Sequence, residues 1–384
     1  MKKRVCFITG SRAEYGLQYQ IIRKVKSSKF LELKLIVTGM HLESQFGNTY
    51  KEIEADGFKI DDKIKIISQK DTIKGVVNSF SSAVKKISES IKMIRPDIIV
   101  LLGDRYEIFA ASCAAMFNNV PIAHIHGGEI TEGMIDEAIR HSITKMSHIH
   151  FTSTEEYKRR VIQMGEDKSK VYNFGAPGIE NIQSLKKISK SSLEKKLRIK
   201  FNKKNILITF HPLTLEPGNT LKEFNELLDA LKEEKKTNLF FTKSNSDFQG
   251  TQINKLIDRF VKHSENYFSF KSLGRLNYLS LLSHVDVIVG NSSSGIIEAP
   301  SLKVSTINIG DRQKGRVRSK TIIDCRSEKF SIIKALKKSY SKNFKKVTRQ
   351  ARNPYQKNKT SFNIVRKLEN TSTDKLLHKK FYSS

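Results

Sequence analysis

Short apolar runs rich in β-branched residues alternate with longer amphipathic stretches along the chain. In the first half the runs at 5–9, 33–38, 98–102, 122–126, 149–152 and 171–174 are bounded by Gly, Asp, Pro or Ser, which predicts strands. Between them, 15–26, 76–94, 106–117, 136–146 and 155–164 repeat with a helical period. Arg95-Pro96-Asp97 ends one helix and opens the next strand. The rhythm restarts near residue 205, with strands predicted at 205–210, 238–242, 285–289 and 304–309 and helices at 222–235, 252–262 and from 295. Apolar strands separated by helices imply parallel sheets covered on both faces. The pattern therefore predicts an α/β chain of two doubly wound, Rossmann-like domains, 1–180 and 181–384, joined through a Lys-rich helical linker at 184–204. The second domain ends in a basic tail, with a helix over 361–368 and frayed residues behind it.

Ligands of open α/β sheets bind beyond the carboxyl ends of the strands. With two such sheets, the cleft between them is the expected site. After the first strand, Thr9-Gly10-Ser11-Arg12 turns into a helix without a GxGxxG fingerprint, and Arg12 stands where a phosphate can be gripped. His41 follows the second strand, as a ligand contact or as an ordinary loop histidine. Gly103-Asp104-Arg105 follows a buried strand, where a carboxylate can move a proton if its surroundings tune it. The plainer alternative is that Asp104 caps the helix from Tyr106.

The densest chemistry is His124-Ile125-His126-Gly127-Gly128-Glu129, with Asp136 opening a helix ten residues after His126. Alternation places His124 and His126 on one face of the strand. Asp104, His126, Glu129 and Asp136 are expected to converge as acid/base groups. Zinc is the rival use of such side chains, but the spacing matches no standard metal pattern. In the second half, His211-Pro212 follows a strand, and Gly290-Asn291-Ser292-Ser293-Ser294-Gly295 runs from a strand into a helix as an anion cradle. Glu298 is placed to bond ribose hydroxyls, and Arg312 and Arg316 can add charge-assisted bonds.

Charge changes this picture little. The formal net charge is +30, yet residues 1–180 carry 27 basic and 22 acidic side chains whereas 181–384 carry 42 and 17. Of the 69 basic residues only 18 are Arg, the side chain that nucleic-acid readers favour. Solvated helix faces account for most of the lysines, so no nucleic-acid partner is expected; an acidic small ligand for the second half is. No stretch reaches the ~20 apolar residues of a membrane span, and no membrane partner is expected. Cys6, Cys113 and Cys325 are far apart and form neither a disulfide framework nor a CxxC pair, which suits a cytoplasmic protein.

Taken together, Ser11-Arg12-Ala13-Glu14-Tyr15, His41-Leu42, Phe46-Gly47-Asn48-Thr49-Tyr50, Gly103-Asp104-Arg105, His126-Gly127-Gly128-Glu129, Asp136-Glu137-Ala138-Ile139-Arg140-His141, His211-Pro212 and the Gly290–Gly295 turn resemble the hydrolysing UDP-N-acetylglucosamine 2-epimerases of sialic acid biosynthesis. The likeness runs in order over about residues 4–320. It implies the GT-B fold, two Rossmann-like domains facing each other across a cleft. It implies elimination of UDP across C1–C2 to 2-acetamidoglucal, then addition of water at C1 with protonation at C2 on the opposite face, giving UDP and N-acetylmannosamine. By resemblance Asp104 and Asp136 are the catalytic carboxylates and His211 assists near the pyrophosphate. Arg12, His41, Arg105, Asn291, Ser292, Ser293, Gly295, Glu298 and Arg312 bind the nucleotide sugar. No metal or other cofactor is implied, and family members assemble as dimers or tetramers.

The sequence departs from the pattern at His126, where some members carry a catalytic Glu; either His126 itself or Glu129 is expected to take that role. A close relative with the same motifs acts on nucleotide-linked N,N′-diacetylbacillosamine on the way to legionaminic acid, and stands as the alternative to UDP-N-acetylglucosamine. A GT-B glycosyltransferase, a non-hydrolysing epimerase and a non-enzymatic binder of phosphate-coated polymers are the remaining readings.

Overall fold

The central strands form where a run of β-branched and aromatic residues has helices on both sides to bury it. In the first sheet the strands are β1 (Lys3–Thr9), β2 (Leu31–Thr38), β3 (Asp62–Ile64), β4 (Ile98–Leu102), β5 (Ile122–Ile125), β6 (Ile149–Thr152) and β7 (Val171–Asn173). In the second they are β8 (Lys204–Thr209), β9 (Thr237–Thr242), β10 (Tyr267–Phe270), β11 (Val287–Gly290), β12 (Ser305–Ile309) and β13 (Ile322–Cys325). The structure, a computed structural model, describes residues 2–68, 72–132, 134–184, 186–213, 218–244 and 249–383.

The sheets have orders β3-β2-β1-β4-β5-β6-β7 and β10-β9-β8-β11-β12-β13, with every neighbouring pair parallel. Both are Rossmann orders, and the chain is a GT-B-like α/β protein of two such units. Alternate residues of one strand feed opposite faces: Val5 and Phe7 join one core while Cys6 and Ile8 join another. In the second sheet Ile206 and Ile208 face one core and Leu207 the other.

The chain divides into one unit of Met1–Glu129, Ile135–Asn181 and Tyr355–Ser384 and another of Ile130–Met134 and Ile182–Pro354. This corrects the expectation for the C-terminus, which the sequence pattern assigned to the second domain. The helix Thr360–Asn370 buries Ile364, Val365 and Leu368 in the first core, beside Ile21 and Val25. Burying three such side chains stabilises the first unit by several kcal/mol, at roughly 1.5–3 each.

The residues behind that helix are tied down as well. Lys379 Nζ lies 2.7 Å from the buried Glu166 carboxylate, and the Tyr382 amide donates to the Gly165 carbonyl at 2.9 Å. Burial works against the charge of Glu166, but bonds from His150, Lys145 and Lys379 hold its carboxyl down at about 2. The expected linker also differs: its helix, Lys190–Leu197, buries Leu193 in a core of the second unit. Conversely, Ile130–Met134 leaves the first unit, and Glu132 pairs with Lys314 Nζ at 2.9 Å.

Candidate active site

In the first sheet the strand order reverses between β1 and β4, so the loops after these strands lie side by side. Gly10 is packed so tightly that a Cβ would collide with the Glu107 side chain. Glu107 is fully buried and accepts from Arg105 Nε at 2.8 Å. Glu14, in the first turn of the helix Arg12–Lys26, accepts from the Gly10 amide at 2.7 Å and lies 3.8 Å from the same Arg105 Nε. Burial, and next the Glu107 carboxylate, push the Glu14 carboxyl up to about 8 against the pull of Arg105. It therefore holds its proton at neutral pH.

Asp104 does not cap the following helix, whose N-cap is Arg105 without a side-chain cap bond. It is held instead by Arg140, a buried guanidinium from the helix Ile135–Met146. Nε and Nη2 reach Asp104 Oδ2 at 2.7 and 2.5 Å, and Nη1 donates at 2.7 Å both to Glu137 Oε2 and to the Glu129 carbonyl. Asp136 lies one helical turn before Arg140, on the same side of that helix. One side chain thus gathers Asp104, the Glu129 backbone and the helix of Asp136.

The alternation expected over 122–126 stops at Ile125. His124 turns into the core, with Nε2 2.8 Å from the Gly103 carbonyl and Nδ1 3.2 Å from the Thr144 hydroxyl. Burial drives it down to about 3, so it stays neutral and structural. His126, just past the strand, has φ of 70°, the left-handed region that few side chains occupy. Its Nδ1 is 2.5 Å from Glu129 Oε1, which also accepts from Ser153 Oγ at 2.8 Å. His41 is enclosed, its two ring nitrogens 3.2 Å from Thr9 Oγ1 and 2.8 Å from Thr49 Oγ1. Burial brings it to about 3. Both nitrogens are engaged and tie the turn after β2 to β1.

In the second sheet the reversal falls between β8 and β11. Gly290 has φ of 134°, and a Cβ there would collide with the Thr209 carbonyl oxygen. Asn291 grips the backbone of His211 from both sides: its Oδ1 accepts from the His211 amide at 2.8 Å and its Nδ2 donates to the His211 carbonyl at 2.9 Å. Arg312 Nη1 and Gln313 Nε2 donate to the Asn291 carbonyl at 3.1 and 2.9 Å. His211 Nδ1 lies 3.3 Å from the Ser244 hydroxyl.

The Gly290–Gly295 turn runs from β11 into a helix, and that helix is short. It covers only Ser293–Ile297, too short for much macrodipole. Ser292 Oγ accepts from the Ser294 amide, and Ser294 Oγ accepts from Tyr278 Oη at 2.7 Å. Gly295, where a Cβ would meet Thr306, and Glu298 follow in the same turn.

The model of the UDP-N-acetylglucosamine 2-epimerase family matches residues 23–369. The chain is 42% identical over 382 residues to a GDP/UDP-N,N′-diacetylbacillosamine 2-epimerase (hydrolyzing) of Campylobacter jejuni, covering 99% of both chains. This chain belongs to the UDP-N-acetylglucosamine 2-epimerase family. A polysialic acid biosynthesis protein P7 of Escherichia coli is 41% identical over 95% of this epimerase and 93% of its own length. A UDP-N,N′-diacetylbacillosamine 2-epimerase (hydrolyzing) of Legionella pneumophila is 34% identical over 89% and 90%. Among solved structures, the UDP-GlcNAc 2-epimerase of Neisseria meningitidis bound to UDP-GlcNAc shares the fold, with TM-score 0.82, 21% identity and coverage of 96% and 100%.

The epimerase is an enzyme of the hydrolysing UDP-sugar 2-epimerase kind. Among its described residues no helix is long and apolar enough to cross a membrane, and no three His, Cys, Asp or Glu side chains gather as a metal site. Sequence reasoning missed the roles of Arg140, Glu14 and Ser153. The signal for Arg140 was its spacing, four residues after Asp136 on an amphipathic helix. Nothing local marks Ser153, which meets Glu129 only through strand pairing.

Proposed function

We propose that this epimerase acts on nucleotide-linked N,N′-diacetylbacillosamine, releasing the nucleoside diphosphate and the free sugar inverted at C2. The observation that carries the reading is the 42% identity over 99% of both chains to the Campylobacter enzyme, and the Legionella relative adds to it. The sequence alone put UDP-N-acetylglucosamine first; the relatives reverse that order. UDP-N-acetylglucosamine remains the second reading, favoured by the 41% identity to the Escherichia coli polysialic acid protein.

In either case the first unit supplies proton-transfer groups and the second holds the diphosphate. Asp104 is the carboxylate best placed to act. Both Arg140 contacts fall on Oδ2, and Oδ1 takes no hydrogen bond among the described residues. Asp136 serves as the second carboxylate. Arg12, Arg105, Ser292, Ser293, Glu298 and Arg312 bind the nucleotide sugar, and His211, fixed by Asn291, stands near the pyrophosphate.

The test is to incubate the protein separately with UDP- and GDP-linked N,N′-diacetylbacillosamine and with UDP-N-acetylglucosamine, and to quantify free nucleotide and free sugar. A bacillosamine nucleotide is expected to give a kcat/KM at least ~10-fold higher, the scale on which a pocket separates near-isosteric sugars. Turnover of UDP-N-acetylglucosamine alone would refute the reading.

A further inference from the structure

His126, Glu129 and Ser153 form a hydrogen-bonded relay whose outer end is the His126 ring. Ser153 Oγ donates to Glu129 Oε1 at 2.8 Å, and the same oxygen lies 2.5 Å from His126 Nδ1. All three residues are buried. In the neutral ring Nδ1 carries the hydrogen bonded to Glu129, which leaves Nε2 as an acceptor. Nε2 is buried, yet has no hydrogen-bond partner among the described residues. A buried nitrogen lone pair without a partner is costly in a folded protein. The ring is held this way by a backbone in the left-handed region, with φ of 70°. Both features belong to a group kept for a substrate.

Glu129 is differently placed. Its Oε1 already serves two donors, and its carbonyl accepts from Arg140. It can orient the ring and stabilise its positive charge.

We infer that His126 is the base that takes the C2 proton, and that Glu129 and Ser153 are positioning residues acting through it. The inference rests on the 2-epimerase reading above and assigns the contact with the sugar to His126 in place of Glu129. Nε2 takes the proton from C2, the C2–H electron pair becomes the C1=C2 π bond, and the C1–O pair leaves with the diphosphate. The proton remains on the imidazolium, whose charge is balanced by the Glu129 carboxylate.

The variants are His126→Gly, Glu129→Gln and Ser153→Ala. Glycine suits the left-handed backbone, so His126→Gly keeps the turn and opens a hole the size of a ring. Its kcat is expected to fall by ~10²–10⁴, the usual contribution of a general base, with KM within about threefold. Added imidazole should restore at least ~10-fold of it, which no purely structural role explains. In Glu129→Gln the amide donates to Nδ1 and drives the ring hydrogen to Nε2, readable by ¹⁵N NMR of labelled histidine, with kcat down ~10²–10³. Ser153→Ala, which removes one neutral bond, should lower kcat about 3–10-fold.

Wild-type protein is assayed first on the bacillosamine nucleotides and UDP-N-acetylglucosamine. No nucleotide release from any of them defeats the functional reading and this inference with it. An active wild type whose His126→Gly variant keeps at least about a third of the rate overturns the inference alone. So does a Glu129→Gln variant that is fully active with its hydrogen on Nε2.

Discussion

The two strand-order reversals of this epimerase are built from the same backbone plan and opposite chemistry. In the first unit the ends of β1 and β4 carry ionisable groups in two adjacent sets, Arg105 with Glu14 and Glu107, and Asp104 with Arg140 from the following helix. In the second, the ends of β8 and β11 are organised by fixed donors and acceptors, with Asn291 clamping His211, Arg312 and Gln313 donating to the Asn291 carbonyl and Ser244 beside the His211 ring. A region that moves protons needs groups whose charge can change, and burial makes that change sensitive to neighbours. A region that holds a diphosphate needs fixed donors that stay the same over the pH range of the reaction. The division predicts that pH acts chiefly through the first unit.

The largest response is expected from Arg140→Met. Removing the guanidinium takes from Asp104 the donor to its Oδ2 and from Glu137 one of its partners, His141 remaining, and breaking a buried pair from one side costs about 3–5 kcal/mol. Urea unfolding should show that loss, and kcat should fall at least ~100-fold because Asp104 is no longer held in place. Unchanged stability would mean that the Arg140 set is not the frame of the first site.

How much of this was legible beforehand follows from where each signal lies. Strands 98–102 and 149–152 are legible to the residue because every position is buried; the first is wholly apolar, and in the second Ile149 and Phe151 alternate with His150 and Thr152. The edge strands β3, β10 and β13 were missed: Asp62–Ile64 has two charged residues in three, and Tyr267–Phe270 is only half-buried. Of the residues quoted from the strand ends, Arg12, Asp104, His211 and Asn291 follow the strands of the two reversals, whereas His41, His126 and Arg312 follow β2, β5 and β12. What each does there was not legible. His124 and His126 are two residues apart and share a strand in the sequence pattern, but the chain leaves the strand between them. The tail after 370 reads as frayed because its partners, Gly165 and Glu166, lie some two hundred residues earlier.

A smaller effect separates the units by pH. Glu14 has a folded value of about 8, above the ~4.3 of an unfolded chain. Between these values the folded state binds the extra proton. The stabilisation is complete below the unfolded value and is lost as pH rises through about 8. From about pH 7 to 8 the slope is at most about 1.4 kcal/mol per pH unit. In that window His41 and His124, which burial holds at about 3, are neutral when folded and only about a quarter protonated at pH 7 when unfolded, so they add a smaller term of opposite sign that fades by pH 8 and is common to wild type and variant. Glu14→Gln keeps an acceptor for the Gly10 amide and removes the titration, so its urea midpoint should fall less from pH 7 to 8 than that of the wild type. Parallel curves would place the proton elsewhere in the Glu14–Glu107 pair.

The smallest effect tests the second unit. Ser292→Ala combined with Ser293→Ala removes two hydroxyls, one of which accepts from the Ser294 amide. A lost cap of this kind costs ~1 kcal/mol, and each neutral hydrogen bond to a diphosphate contributes about as much. The apparent KM should therefore rise several-fold to some tens-fold. The kcat should stay within about threefold, because no group that carries a proton has been touched. The pH profile of kcat is the sharper reading. If the second unit only holds the diphosphate, the profile of the double variant superimposes on that of the wild type. A displaced profile would mean that the cradle takes part in the proton chemistry, and the contrast between the two units would fail at its quieter end.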